Sequence, residues 1–144
     1  MVEYTVKVDQ YSKQWYLNGQ LHREDGPAVE WNNGNKTWYL YGQRHRTDGP
    51  SVEYTDGTKK WYLNGQLHRE DGPSVEYTNG TKKWHLNGDL HRTNGPAVEW
   101  SSGRKMWYLN GYEVTEEAVM KPIKQLTVAE IEALLGHRIE VITG

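Results

Sequence analysis

The stretch Trp15-Tyr16-Leu17-Asn18-Gly19-Gln20-Leu21-His22-Arg23-Glu24-Asp25-Gly26-Pro27-Ala28-Val29-Glu30-Trp31 returns with few changes from Trp38, from Trp61 and from Trp84. Trp15, Trp38, Trp61, Trp84 and Trp107 stand 23 residues apart, so the chain is a tandem array whose copies are single supersecondary units. Each copy also carries a turn pair: Asn33-Gly34, Asp56-Gly57, Asn79-Gly80 or Ser102-Gly103. In Tyr54-Thr55-Asp56-Gly57-Thr58-Lys59 this pair separates two alternating runs, the strongest short-range signal for a two-residue type I′ hairpin. The fold class that follows is mainly β, a sheet of tandem β-hairpin repeats.

With Asp56 and Gly57 as the turn, Thr55 faces Thr58, Tyr54 faces Lys59, Glu53 faces Lys60 and Val52 faces Trp61. Alternation along a strand then places Val52, Tyr54, Trp61 and Leu63 on a core face, and Ser51, Glu53, Lys60 and Tyr62 on the opposite face. Glu53 with Lys60, and Glu76 with Lys83, form opposite-charge cross-strand pairs worth roughly 0.2–1 kcal/mol each. The segment from Asn64-Gly65 to Gly72-Pro73 reads as an ordered, exposed, turn-rich connection to the next unit.

Outward from this array the pattern weakens at both ends. Residues 1–14 are a degenerate N-terminal cap strand, in which Val6 and Val8 take the places of Val29 and Trp31 while Asp9 to Gln14 lacks the Asn/Asp-Gly turn. Terminal repeats are expected to be atypical. The repeats occupy 15–111, and 112–144 form a C-terminal helix-strand cap. There Thr127-Val128-Ala129-Glu130 is a capping box opening a helix with Val128, Ile131, Leu134 and Leu135 on one side, stopped at Gly136. His137 to Ile142 alternates again as a closing strand that would cover the last hairpin's edge.

Composition narrows the function classes. The chain has 144 residues, 35% of them hydrophobic, which suits a thin stacked sheet better than a thick globule. With 7 Trp, 10 Tyr and no Phe, every aromatic ring carries a polar handle and fits a half-buried sheet face. A net charge of −2 gives no global pull toward nucleic acid or anionic membrane. The absence of Cys excludes disulfides and thiolate metal sites. No apolar run approaches the roughly 18 residues of a membrane span, and the N-terminus lacks a signal-peptide core, so the expectation is a protein without membrane insertion, in the cytoplasm.

Asn18-Gly19-Gln20-Leu21-His22, with its copies at 64–68 and 87–91, resembles the Asn-Gly-x-x-His core of MORN repeats, which share the 23-residue period and the hairpin unit. The similarity covers roughly residues 15 to 111. The longer pattern from Trp15 to Glu30 resembles a variant MORN-like family that recurs in bacteriophage and giant-virus proteins, and Leu126 to Gly136 is similar to the tail of many phage proteins. Where standard MORN units place Gly after the His, this chain has Arg23 and Asp25-Gly26-Pro27. The resemblance implies a scaffold that binds proteins, self-associates or, in some members, touches phospholipid; it implies no enzyme activity and no cofactor.

Two columns of residues are candidates for binding. The first is the ladder His22-Arg23, His45-Arg46, His68-Arg69 and His91-Arg92, where guanidinium forks are suited to phosphate or carboxylate groups. Its structural alternative pairs each Arg with an acid such as Asp25 or Glu70 and packs each His on a Trp while bonding the turn. The second column is Tyr16, Tyr39, Tyr62, His85 and Tyr108, opposite the core and flanked by the small Ala28, Ser51, Ser74 and Ala97, which leave the rings exposed as a platform for a protein partner or stacked bases; alternatively the column packs against a second subunit or merely against itself. His85 breaks that column in a unit that also departs at Asp89 and Asn94. The His residues lack the local spacing of a metal site, and no nucleophile motif occurs.

The function expected from these residues and the resemblance is that of a non-enzymatic, phage-encoded binding protein. It would inhibit or sequester a host factor in the host cytoplasm during host takeover or counter-defence, its partner being a host protein or a nucleotide-derived ligand. The alternatives are a structural protein that forms a homo-oligomer or attaches to a virion, and a nucleic-acid- or nucleotide-processing enzyme centred on His85.

Overall fold

In a computed structural model that describes residues 3–120, 127–136 and 140, the repeats form one antiparallel sheet of 12 strands. Strand β1 (Thr5–Val8) pairs with β2 (Ser12–Leu17), and the sheet then runs through two short strands per unit to Lys105–Leu109 and Tyr112–Val114. At the degenerate N-terminal unit, Asp9 does the work of the missing turn pair. Its Oδ1 accepts the N–H groups of Tyr11 at 2.7 Å and Ser12 at 2.8 Å, and these bonds hold the Asp9 carboxyl below its ordinary value.

The turn at Asp56-Gly57 differs from the expected two-residue type. Val52 faces Lys60 and Glu53 faces Lys59, while the Tyr54 N–H bonds the Thr58 carbonyl at 3.0 Å, so the loop is Thr55-Asp56-Gly57. Only Gly57 is left-handed there, with φ at 93°. The reason is local: the Asp56 carboxylate accepts the Thr58 N–H at 2.8 Å, an Asx turn that holds Asp56 out of the left-handed region a type I′ turn demands, and Gly57 absorbs the extra residue as a bulge. Asn33 and Asn79 accept the N–H two residues on in the same way.

That slip of one residue reverses the partners across the sheet. One row reads Val29, Thr37, Val52, Lys60, Val75, Lys83 and Val98; the other face carries Lys13, Glu30, Lys36, Glu53, Lys59, Glu76, Lys82, Glu99 and Lys105. Glu53 therefore faces Lys36 and Lys59 rather than Lys60, and Glu76 faces Lys59 and Lys82 rather than Lys83. Of the expected core face only Val52 is buried; Trp61 and Leu63 are half-buried and Tyr54 is exposed. The buried set is instead Ala28, Val29, Val52, Val75, Ala97 and Val98, joined by Ser12, Ser51, Ser74, Thr37, Thr58 and Thr81 and by His22 and His85.

Each unit also contains a second hairpin where a plain connection was expected. Tyr62–Leu63 pairs with Gln66–Leu67 across Asn64-Gly65, whose φ values of 49° and 80° are those of a two-residue type I′ turn. The same turn recurs at Asn18-Gly19, Asn87-Gly88 and Asn110-Gly111, and once as Tyr41-Gly42. Tyr41 holds φ at 48°, a strained conformation for a bulky side chain. Tyr41→Asn is expected to stabilise the protein by about 0.5–1 kcal/mol despite the lost contact with the His22 ring, as a rise in urea midpoint will show.

At the C-terminal end, α1 (Glu116–Met120) packs on Lys105–Leu109 and α2 (Val128–Leu135) follows. The capping box is formed as expected: Thr127 accepts the Glu130 N–H, Glu130 returns a bond to the Thr127 N–H, and Gly136 ends the helix at φ 72°. Val128 is exposed and Ile131 half-buried. The side chains of Leu134 and Leu135, and the closing strand expected over 137–142 apart from Glu140, lie outside the described residues. No helix among the described residues is long and apolar enough to cross a membrane.

Candidate binding face

The Arg ladder stands on the face that carries the glutamates. Arg69 donates from Nε to Asp71 Oδ1 at 2.8 Å and from Nη1 to the Pro73 carbonyl at 3.0 Å and to Glu76 Oε1 at 3.4 Å, while its guanidinium lies 4.0 Å from the Trp61 ring centroid. Arg23 and Arg46 repeat this arrangement on Trp15 and Trp38. The paired guanidinium holds the carboxyls of Asp25, Asp48 and Asp71 below their ordinary value. In the fourth unit Asn94 replaces the aspartate, so Arg92 keeps a neutral acceptor at 3.1 Å and one ion pair, with Glu99.

This fork explains the Gly of each Asp-Gly-Pro. A Cβ on Gly72 would sit 2.9 Å from Arg69 Cζ, so the residue is small to admit the guanidinium rather than to make a turn. Trp is thus stacked by Arg, not by His, and Glu70 faces His68 rather than Arg69.

The histidines tie each unit to the next. His22, His45, His68 and His91 accept at Nδ1 the N–H groups of Tyr41, Asn64, Asn87 and Asn110, each 19 residues on, at 3.0, 3.1, 3.0 and 2.9 Å. An amide N–H can only donate, so these rings carry their proton on Nε2. His22 is fully buried, and its Nε2 lies 3.6 Å from Glu24 Oε1.

The second column is half-buried instead of exposed. Tyr16, Tyr39, Tyr62 and Tyr108 are all partly covered, His85 is buried, and the small Ala28, Ser51, Ser74 and Ala97 beside them have no exposed surface. Ser51 accepts the Tyr62 N–H at 2.8 Å; at the corresponding place Ser74 Oγ meets His85 Nδ1 at 2.7 Å and donates to the Lys83 carbonyl at 3.1 Å. With the Ser74 hydrogen on that carbonyl, His85 Nδ1–H is the donor to Oγ. Burial, and then Lys83, lower His85 to about 4 against a smaller opposing pull from Asp89.

Between consecutive Arg forks the Trp–Arg face opens into a row of similar clefts. The one bounded by Arg46 and Arg69 has a volume of about 650 Å³, with Trp61 and Leu63 as its apolar walls and Thr47, Asp48 and Glu70 at its rim. Clefts of about 620 and 570 Å³ lie to either side, on Trp38 with Leu40 and on Trp84 with Leu86. A smaller one of about 390 Å³ ends the row against Tyr4, Val6 and Trp15. The Leu walls and Thr47 were not legible as site residues, because a cleft between two units depends on how those units face each other. Among the described residues no group of three His, Asp or Glu side chains is placed to hold a metal ion.

Compared with protein-family models and with curated proteins, the chain matches none.

Proposed function

We propose that the chain is a non-enzymatic binding protein that engages a partner along the row of clefts on its Trp–Arg face. The observation that carries this reading is the recurrence of one cleft, with equivalent Trp, Leu and Arg walls, three times along the sheet. A periodic surface offers several weak contacts to one partner, which multiply when geometry lets them engage together. The aromatic and aliphatic walls supply desolvation, and Glu70, the rim carboxylate outside the Arg forks, favours a basic partner segment.

The cleft arginines already face carboxylates, so a host protein suits these clefts better than a nucleotide-derived ligand, which would have to displace Asp71 or Glu76 from Arg69. The resemblance to repeats in phage proteins supports capture of a host factor in the host cytoplasm, as an inhibitor in host takeover or counter-defence. An enzyme centred on His85 would need its imidazole free; the ring meets Ser74 inside the sheet.

The test is capture of host proteins on tagged chain beside the variant Thr47→Arg with Glu70→Arg, two rim changes outside the Arg forks. One host protein held by the wild type and released at least about 10-fold by the variant, with unfolding midpoint unchanged, is the expected result. Equal retention by both moves the binding surface off this face.

A further inference from the structure

Strand β1 is the outermost strand of the sheet, and all four of its residues are exposed. Its outer side carries a defined set of backbone groups. The Asp9 N–H bonds the Ser12 carbonyl, and one strand further in the Trp15 N–H points away from β1 to the Ala28 carbonyl. Since alternate residues of an antiparallel strand bond to opposite sides, Thr5 and Lys7 bond β2, while Tyr4, Val6 and Val8 turn their N–H and C=O groups outward. Tyr4 at 39%, Val6 at 45% and Val8 at 72% exposure leave an apolar strip along that edge, with no proline or bulge to blunt it.

We infer that this edge pairs with the same edge of a second copy of the chain, antiparallel and centred on Thr5. The side-chain order is self-complementary about that point. Thr5 meets the second copy's Thr5 in a close, non-hydrogen-bonded pair, and Tyr4 meets Val6 in the flanking hydrogen-bonded pairs, an aromatic against a β-branched residue. Glu3 meets the second copy's Lys7, and by symmetry Lys7 meets its Glu3. The next register that keeps the outward groups bonded puts Val6 opposite Val6 and sets Glu3 against Asp9, a repulsion.

The other edge of the sheet does not offer the same template. Tyr112–Val114 has three residues, Leu109 and Tyr112 close a two-residue turn, and Tyr112 and Val114 therefore bond back into their own hairpin. Glu113 alone points outward before the chain enters α1. The closed dimer is thus favoured over a head-to-tail fibre. Its two-fold axis stands perpendicular to the sheet, so the Trp–Arg faces of both copies lie on one side and their cleft rows run on from each other. A pairing this short buries far less than the roughly 1,600 Å² of a standard interface, which places the dimer among weak, concentration-dependent ones.

Sedimentation velocity of the full chain at low salt, up to about 500 µM, tests the pairing. The expected result is a monomer–dimer equilibrium whose Kd rises about 10-fold in Glu3→Lys and in Lys7→Glu, and returns to near the wild-type value in the Glu3→Lys, Lys7→Glu double variant. Lys7 also covers the Tyr16 ring at 4.6 Å, so the double variant, not either single one, separates the intermolecular pair from a local effect. Val6→Pro removes an outward N–H that β2 does not use, and is expected to leave a monomer with unchanged circular dichroism. A wild type that stays monomeric throughout, growth beyond two copies, or a double variant no tighter than the single ones overturns the proposal.

Discussion

Arg69→Ala is expected to lower the unfolding free energy by about 2–4 kcal/mol, as are the equivalent changes at Arg23 and Arg46. Three acceptors lose their donor at once: Asp71, the Pro73 carbonyl and Glu76, the last two being only partly open to water. The face of Trp61 loses a cation held 4.0 Å from its centroid, a contact of about 0.5–2 kcal/mol when partly desolvated. Arg69→Lys is expected to recover less than half, because one ammonium can neither lie flat on the indole nor divide its donors among acceptors arranged for a fork. Arg92→Ala should cost less than Arg69→Ala, since Asn94 leaves Arg92 with one ion pair instead of two. Urea unfolding of the three variants checks the order, and a loss below about 0.5 kcal/mol for Arg69→Ala would show that the fork contributes little.

The second large effect is a loss of stability in acid traced to one side chain. His85 is lowered from 6.5 to about 4 in the folded protein, so between these values the unfolded chain binds a proton that the folded one refuses. Its contribution is present in full above pH 6.5 and disappears as pH falls through about 4. Allowing for solvent at the ring edge, the wild type should lose about 2 kcal/mol relative to His85→Tyr as pH drops from 7 to 4. Tyr restores the residue found in the other units, and the remaining five histidines are common to both chains, so the difference between the two curves isolates His85. Parallel curves would mean that His85 is protonated in place. The same variant tests an enzymatic role, since activity that depended on the imidazole would vanish with it.

Several features were legible because they are local. The period of the Trp column, the mainly β class and the Thr127–Glu130 capping box each depend on residues within one unit or one helical turn. The turn at Asp56-Gly57 was legible as a turn but not as its type. The Asp56 carboxylate bond to Thr58 decides between a two- and a three-residue loop, and both accept the same dipeptide. The Asn64-Gly65 turn fits the type I′ pattern without that competition, because its Asn takes the left-handed conformation itself.

The sequence by itself determined a repeating hairpin array with a capped C-terminal helix, since periodicity, turn residues and caps act over a few bonds. Only the tertiary structure decided which residues share a face, because one residue of slip at Thr55-Asp56-Gly57 exchanges every partner across the sheet. It also decided the partners of the ladder. Each histidine bonds an amide 19 residues away, a contact that exists only once consecutive units have packed together, and each Arg reaches the Trp eight residues before it only because the hairpin between them folds back.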